Sequence, residues 1–243
     1  MVISRTIVYI SPVMENEERK PGLTAMSMSR HQLEALRRST VLVVAGADAA
    51  LSLIELLAEG GVGRIILVQQ GEKKCGRFQA VTSSDTSLEI RSYNEAEGVN
   101  ALEGLLAEVD LVVETFLDWQ IKLGLSDLAM RLGKALIHSG VVGHRYQIYF
   151  IKPGKSACLR CALPGVGIED FPLGAVAPHP IKAVETWAGS LMALDAIKYL
   201  ADLGVIQTTT LWRIDPLSGD IEAVRNLASV KDCPDCGLPF KSH

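Results

Sequence analysis

Apolar positions fall into two rhythms along the chain. Residues 41–45 (VLVVA), 65–68 (IILV) and 111–113 (LVV) are unbroken aliphatic runs of strand length, the pattern of strands covered on both faces. Between the first two, Leu53, Leu56 and Leu57 recur at helical spacing, and the segment stops at Gly60-Gly61, a pair suited to a left-handed C-terminal cap. Strand, helix and strand within about thirty residues form a βαβ unit, whose right-handed crossover makes the two strands parallel.

The alternation continues. A short helix is predicted from Arg30, with Leu33 and Leu36 on one face, ahead of the first strand. Strands are predicted at 87–94, 110–115 and 135–143, with helices at 98–109 and 119–132 between them. After Gly143 the texture changes: RYQIYFIKPGKSACLRC (145–161), then a Pro/Gly-rich loop over 164–182, an apolar helix over 184–204 and a hairpin-like pair over 209–228, punctuated by Pro216 and Gly219. Residues 1–26 offer only a short strand at 6–10 and a turn at Pro21-Gly22. The expected fold is α/β: a Rossmann-like, doubly wound, mainly parallel sheet with antiparallel C-terminal additions, in one domain over 30–243 behind an extension at 1–29. Such a sheet binds ligands beyond the carboxyl ends of its strands, where VVAGADAALS (43–52) lies.

Charge narrows the partners. The chain carries 24 Lys and Arg against 28 Asp and Glu, with no long basic run, which argues against an electrostatic grip on nucleic acid or on an anionic membrane. The N-terminal apolar run is too short and too interrupted for a signal peptide, and no apolar span reaches membrane length, so a soluble cytoplasmic protein is expected.

Five cysteines sharpen the picture, because four of them form two C-x-x-C knuckles, Cys158/Cys161 and Cys233/Cys236, with 71 residues intervening. Two such pairs supply four thiolates to one tetrahedral zinc, and a closed thiolate set describes a structural site. The competing reading is a redox dithiol, but that chemistry usually sits at a helix N-terminus, whereas Cys158 follows a Pro153-Gly154 loop and Cys233 lies near the chain end.

Taken in order, the motif from Arg30 to Gly46, GGVGRIILV (60–68), DLVVE (110–114), LGKALIHSGVVG (132–143), CLRC, GSLMALDAIKYL (189–200) and CPDCG resemble the ThiF/MoeB/HesA family, bacterial relatives of ubiquitin-activating enzymes. The resemblance implies a Rossmann-like fold, a homodimer or a heterodimer with a related subunit, and adenylation by MgATP of the C-terminal glycine of a ubiquitin-like sulfur-carrier protein in cofactor biosynthesis.

Carried over residue by residue, the nucleotide machinery is depleted. The family's G-x-G-x-x-G loop, whose glycines let backbone N–H groups approach phosphate, is matched by Gly46, Asp48 and Leu51. Gly46 remains a candidate cofactor-binding position, and Asp48 reads as a helix cap. The acidic residue that meets ribose is matched by Gln69, and the segment 71–92 is too short for the family's Asn-Leu-x-Arg-Gln helix, leaving Arg77, Gln79 and Lys73 or Lys74 as echoes. The magnesium-binding aspartate aligns with Leu117, beside Asp118, which is the second candidate cofactor position and also reads as the cap of the helix that follows. No cysteine lies between Cys161 and Cys233 to serve as a transfer cysteine near Ala175; Cys75 reads as a structural thiol, and no residue is assigned a catalytic role. His31, His138, His144 and His179 read as local hydrogen-bonding groups, and Arg145 and Arg160 as surface or carrier-contact residues.

Three functions follow. The first is a divergent family member that binds a carrier protein or a partner subunit without adenylating. The second is an active adenylyltransferase with a rearranged site, and the third a scaffold holding another small ligand in the vacated cleft.

Overall fold

A computed structural model describes residues 28–45, 50–70, 86–93, 98–115, 118–142, 144–164 and 182–237. The expected strand at 6–10, Gly46, Asp48, Lys73, Lys74, Cys75, Arg77, Gln79, Leu117, Ala175 and His179 lie outside them.

Eight strands form one sheet in the order β3-β2-β1-β4-β5-β6-β7-β8. They span Thr40–Ala45 (β1), Arg64–Gln70 (β2), Ser87–Tyr93 (β3), Leu111–Thr115 (β4), Ala135–Val142 (β5), Arg145–Ile151 (β6), Leu211–Ile214 (β7) and Ile221–Val224 (β8). The first five are parallel and the last three antiparallel, which bears out the expected fold class. The helices are α1 (Arg30–Arg38), α2 (Ala50–Glu59), α3 (Glu103–Glu108), α4 (Trp119–Leu132), α5 (Leu159–Ala162) and α6 (Lys182–Leu200). The stretch expected as one helix over 98–109 divides into a 3-10 turn, Val99–Leu102, and the short α3.

Local chemistry sets several boundaries. At the start of α1 the Ser29 hydroxyl accepts from the Gln32 N–H while the Gln32 side chain accepts from the Ser29 N–H, a reciprocal capping box. After α2 the chain turns at Gly61 with φ +94°, a conformation that a side chain would strain.

Two cores sandwich the sheet. One face packs Leu42, Val44, Val112 and Leu136 under α3, α4 and the cysteine knuckles; the other packs Val41, Val43, Val113 and Ile137 under α2 and α6. Both faces of β1 are therefore buried, as its unbroken aliphatic run requires. None of the helices of the described residues is long and apolar enough to cross a membrane.

Candidate functional site

Strand β1 lies between β2 and β4, so the connections diverge at its carboxyl end, the place where doubly wound sheets bind ligands. The register there puts Gln69, Ala45 and Thr115 in line across β2, β1 and β4. Gln69 and Thr115 are both buried, so the amide that stands in place of the family's acidic residue is sealed from solvent. Asp118 N-caps α4: its carboxylate accepts from the Gln120 N–H at 2.7 Å. One of its two oxygens is thereby committed to the helix, as the cap reading anticipates.

On the opposite face an ionic cluster closes on itself. Glu114 at the end of β4 and His138 on β5 are register partners, and both are 0 % exposed. The ammonium of Lys122, one turn into α4 and 1 % exposed, donates to Glu114 Oε2 at 2.8 Å and to the Ser139 carbonyl oxygen. The other carboxylate oxygen meets His138 Nδ1. The Trp119 ring packs against the imidazole at 5.5 Å between centroids and lies beneath the Lys122 ammonium.

Burial pushes both cations toward their neutral forms, with Glu114 resisting it, so His138 and Lys122 sit below their ordinary pKa values. Burial would raise Glu114, yet Lys122 and His138 outweigh it and hold the carboxyl below its usual range. The imidazole is therefore neutral at pH 7. Its proton is assigned to Nδ1, the nitrogen that faces the carboxylate, and Nε2 is left as an acceptor.

The four knuckle cysteines come together as the spacing predicts. Contrary to the loop placement expected for it, Cys158 is the N-cap of the one-turn helix α5; its sulfur lies 3.7 Å from that of Cys233, while those of Cys161 and Cys236 are 3.6 Å apart. All four sulfurs lie within 4.8 Å of one another. Zinc–sulfur bonds of about 2.3 Å at tetrahedral angles place sulfurs about 3.8 Å apart, so the set fits one tetrahedral metal ion. The contacts run between the knuckles and tie the chain's tail to its middle.

The other candidate residues make local contacts. His144 and Arg145 converge on the Asp215 carboxylate at 3.0 and 3.3 Å. Partial burial would raise Asp215, but His144 and the N–H groups of Leu217 and Ser218 hold it down at about 2. Arg160 makes a forked ion pair with Asp127 on α4 at 2.7–3.1 Å, which pins the first knuckle to that helix.

Sequence reasoning missed the Glu114–Lys122–His138 cluster. It took His138 as a lone local group and passed over Lys122, although a lysine within the apolar run of WQIKLGL signals a buried charge that needs a partner.

Comparison with known proteins agrees with this architecture. The model of the ThiF family matches residues 70–236. "Adenylyltransferase and sulfurtransferase MOCS3-1" of Zea mays is 25% identical over 235 residues, covering 83% of this chain and 47% of that protein. "Sulfur carrier protein adenylyltransferase" of Thermus thermophilus is 26% identical over 238 residues, covering 84% of each. The chain spans about half the length of the MOCS3 relatives. Among solved structures, E. coli MccB superimposes with a TM-score of 0.72 at 17% identity, over 88% of this chain and 69% of that one, a likeness of fold. With most of its length matched by the family model, the chain belongs to the ThiF family.

Proposed function

We propose that this protein is a ThiF-family member that binds a ubiquitin-like sulfur-carrier protein, or a related subunit as its dimer partner, and that its own nucleotide chemistry has lapsed. The observation that carries this reading is the closure of the charged groups at the sheet's switch point upon one another. Lys122 is engaged by Glu114 and Ser139, Glu114 by Lys122 and His138, and Asp118 by the start of α4. Adenylation needs cations and donors free to meet moving phosphate charge, and a buried lysine neutralised by its own glutamate supplies none. Gln69 and Leu51, where the family has an acidic residue and a glycine, point the same way. In this reading the four cysteines hold zinc in a closed thiolate set, and the metal's role is structural because no coordination position is left for substrate.

A second reading, an active adenylyltransferase, is favoured by one observation: the sulfur carrier protein adenylyltransferase of T. thermophilus matches along 84% of both chains. Calorimetric titration with MgATP and with a Gly-Gly-terminated carrier discriminates the two. The proposed function predicts saturable binding of the carrier and none of MgATP up to about 1 mM, the upper end of ordinary substrate affinities. Saturable MgATP binding would favour the second reading.

A further inference from the structure

The four knuckle sulfurs are not equivalent. Cys158 is 0 % exposed and Cys233 8 %, both within the core that holds Tyr149 and Leu211, whereas Cys161 and Cys236 are half-buried at its margin. The cluster therefore divides into an inner pair, Cys158 with Cys233, and an outer pair, Cys161 with Cys236, each drawn from both knuckles. The outer sulfurs touch at 3.6 Å although their residues stand 75 apart in the sequence.

Backbone bonds of the tail hold the outer pair in this register. The Val230 N–H donates to Cys161 Sγ at 3.4 Å, the Cys233 N–H to the Val230 carbonyl at 3.0 Å and the Gly237 N–H to the Cys233 carbonyl at 2.9 Å. A Cβ on Gly237 would lie 2.6 Å from both the Cys233 nitrogen and the Val230 oxygen, so the chain closes this tightly around the second knuckle only with glycine there.

Thiolates are what a metal binds and also what a peroxide oxidises. Which thiolate reacts is decided by access to solvent. The inner pair is closed to an oxidant and the outer pair is open to one, with each outer sulfur in contact with the other. The direction of the pairing sets the consequence. A disulfide across the outer pair joins the middle of the chain to its tail, as the metal does, whereas a disulfide within either knuckle would leave the tail untied.

We propose that Cys161 and Cys236 form a peroxide-sensitive latch, in which oxidation of this pair to a disulfide withdraws two ligands from the metal and keeps the tail moored. This rests on the reading that the four cysteines hold zinc. One outer thiolate attacks hydrogen peroxide; the O–O bond breaks, a sulfenic acid forms and hydroxide leaves. The other outer thiolate attacks the sulfenic sulfur; the S–S bond forms, the S–O bond breaks and a second hydroxide leaves. The two electrons lost by sulfur reduce the peroxide. Cys158 and Cys233 alone are no longer a closed set of ligands, so a competing chelator takes the metal.

The test treats the full zinc-loaded chain with hydrogen peroxide. Metal release is followed with a chromogenic chelator, and linkages are mapped by mass spectrometry of unreduced peptides. One zinc per chain is expected to be released in step with a single disulfide joining the Cys161 and Cys236 peptides, and dithiothreitol with added zinc should reverse both. The oxidised chain is expected to melt above the reduced, chelator-stripped chain, because its tail is still tied. The latch is overturned by a link within either knuckle, a link through Cys75 or to a second copy, or sulfinic and sulfonic acids in place of the disulfide. It is equally overturned by zinc retained in peroxide that fully oxidises free dithiothreitol, or by an oxidised chain that melts no higher than the stripped one. Zinc content before treatment separates the two readings. A chain that takes up no zinc removes the metal reading and the latch with it, while a zinc-bound chain giving any of the other outcomes removes the latch alone.

Discussion

Two regions of the sheet satisfy buried polar groups to different degrees, the ionic cluster at β4 and β5 and the polar side chains on β6 and β7, although Thr115 Oγ1 on β4 and His138 Nε2 on β5 are also buried without a partner among the described residues. At the carboxyl ends of β4 and β5, Glu114 is paired twice over and Lys122 is paired with it. On β6 and β7, Gln147 Oε1 and Arg213 Nε are buried without partners among the described residues. A pocket whose charges neutralise one another has little left for a charged ligand. The contrast is one of charge: the buried cations and carboxylate at β4 and β5 satisfy one another, while Gln147 and Arg213 on β6 and β7 each keep an atom without a partner among the described residues.

The contrast breaks most severely if the cysteine cluster is removed, because Cys158 and Cys233 share a core with Tyr149 on β6 and Leu211 on β7. One zinc per chain is expected by elemental analysis. A strong chelator, or Cys158→Ser with Cys233→Ser, should cost several kcal/mol and lower the melting temperature by roughly 10 °C, at about 2–4 °C per kcal/mol for a chain of this size. A metal-free protein with an unchanged melt would contradict this.

Breaking the ion cluster has the next largest effect. Glu114→Leu leaves the Lys122 ammonium buried and unpaired, and urea denaturation should show a loss of about 3–5 kcal/mol. Adding Lys122→Met should restore much of it, since two apolar side chains replace a pair that burial penalises. If the double variant is no more stable than the single one, the pair is not the closed unit described here.

Acid gives the smallest effect. His138 is held below 6.5 and Glu114 below 4.5, so as pH falls the unfolded chain takes up protons that the folded chain refuses. Their contribution is full above about pH 6.5, diminishes first as the unfolded His138 protonates, and is lost further as Glu114 titrates. Urea midpoints at about pH 7.5 and 5.5 should fall more for wild type than for His138→Gln, which keeps a donor for Glu114 without the titration; equal falls would remove His138 from the account.

Much of the fold was legible in the sequence because strands buried on both faces need unbroken aliphatic runs, and β1, β2 and β4 have them. The bounds of α4 were legible because Asp118 caps one end and Gly133, at φ 68°, closes the other. The cysteine cluster was legible because C-x-x-C pairs carry their geometry with them. The ion cluster was not, since one lysine in an apolar helix hardly disturbs its periodicity and its partners come from two strands. The alignment of Gln147 with Arg213 was less legible still: alternation places each on one side of its own strand, but only the pairing register aligns them with Gly140. The 98–109 segment starts from Gly98, at φ 68°, and opens as a short 3-10 stretch before α3.

In the function proposed above, recognition survives while adenylation does not. Its most direct test is ATP–pyrophosphate exchange by the zinc-loaded chain with a carrier that it binds. The account predicts exchange at the level of the no-enzyme control; robust exchange that depends on the carrier's terminal glycine would contradict it.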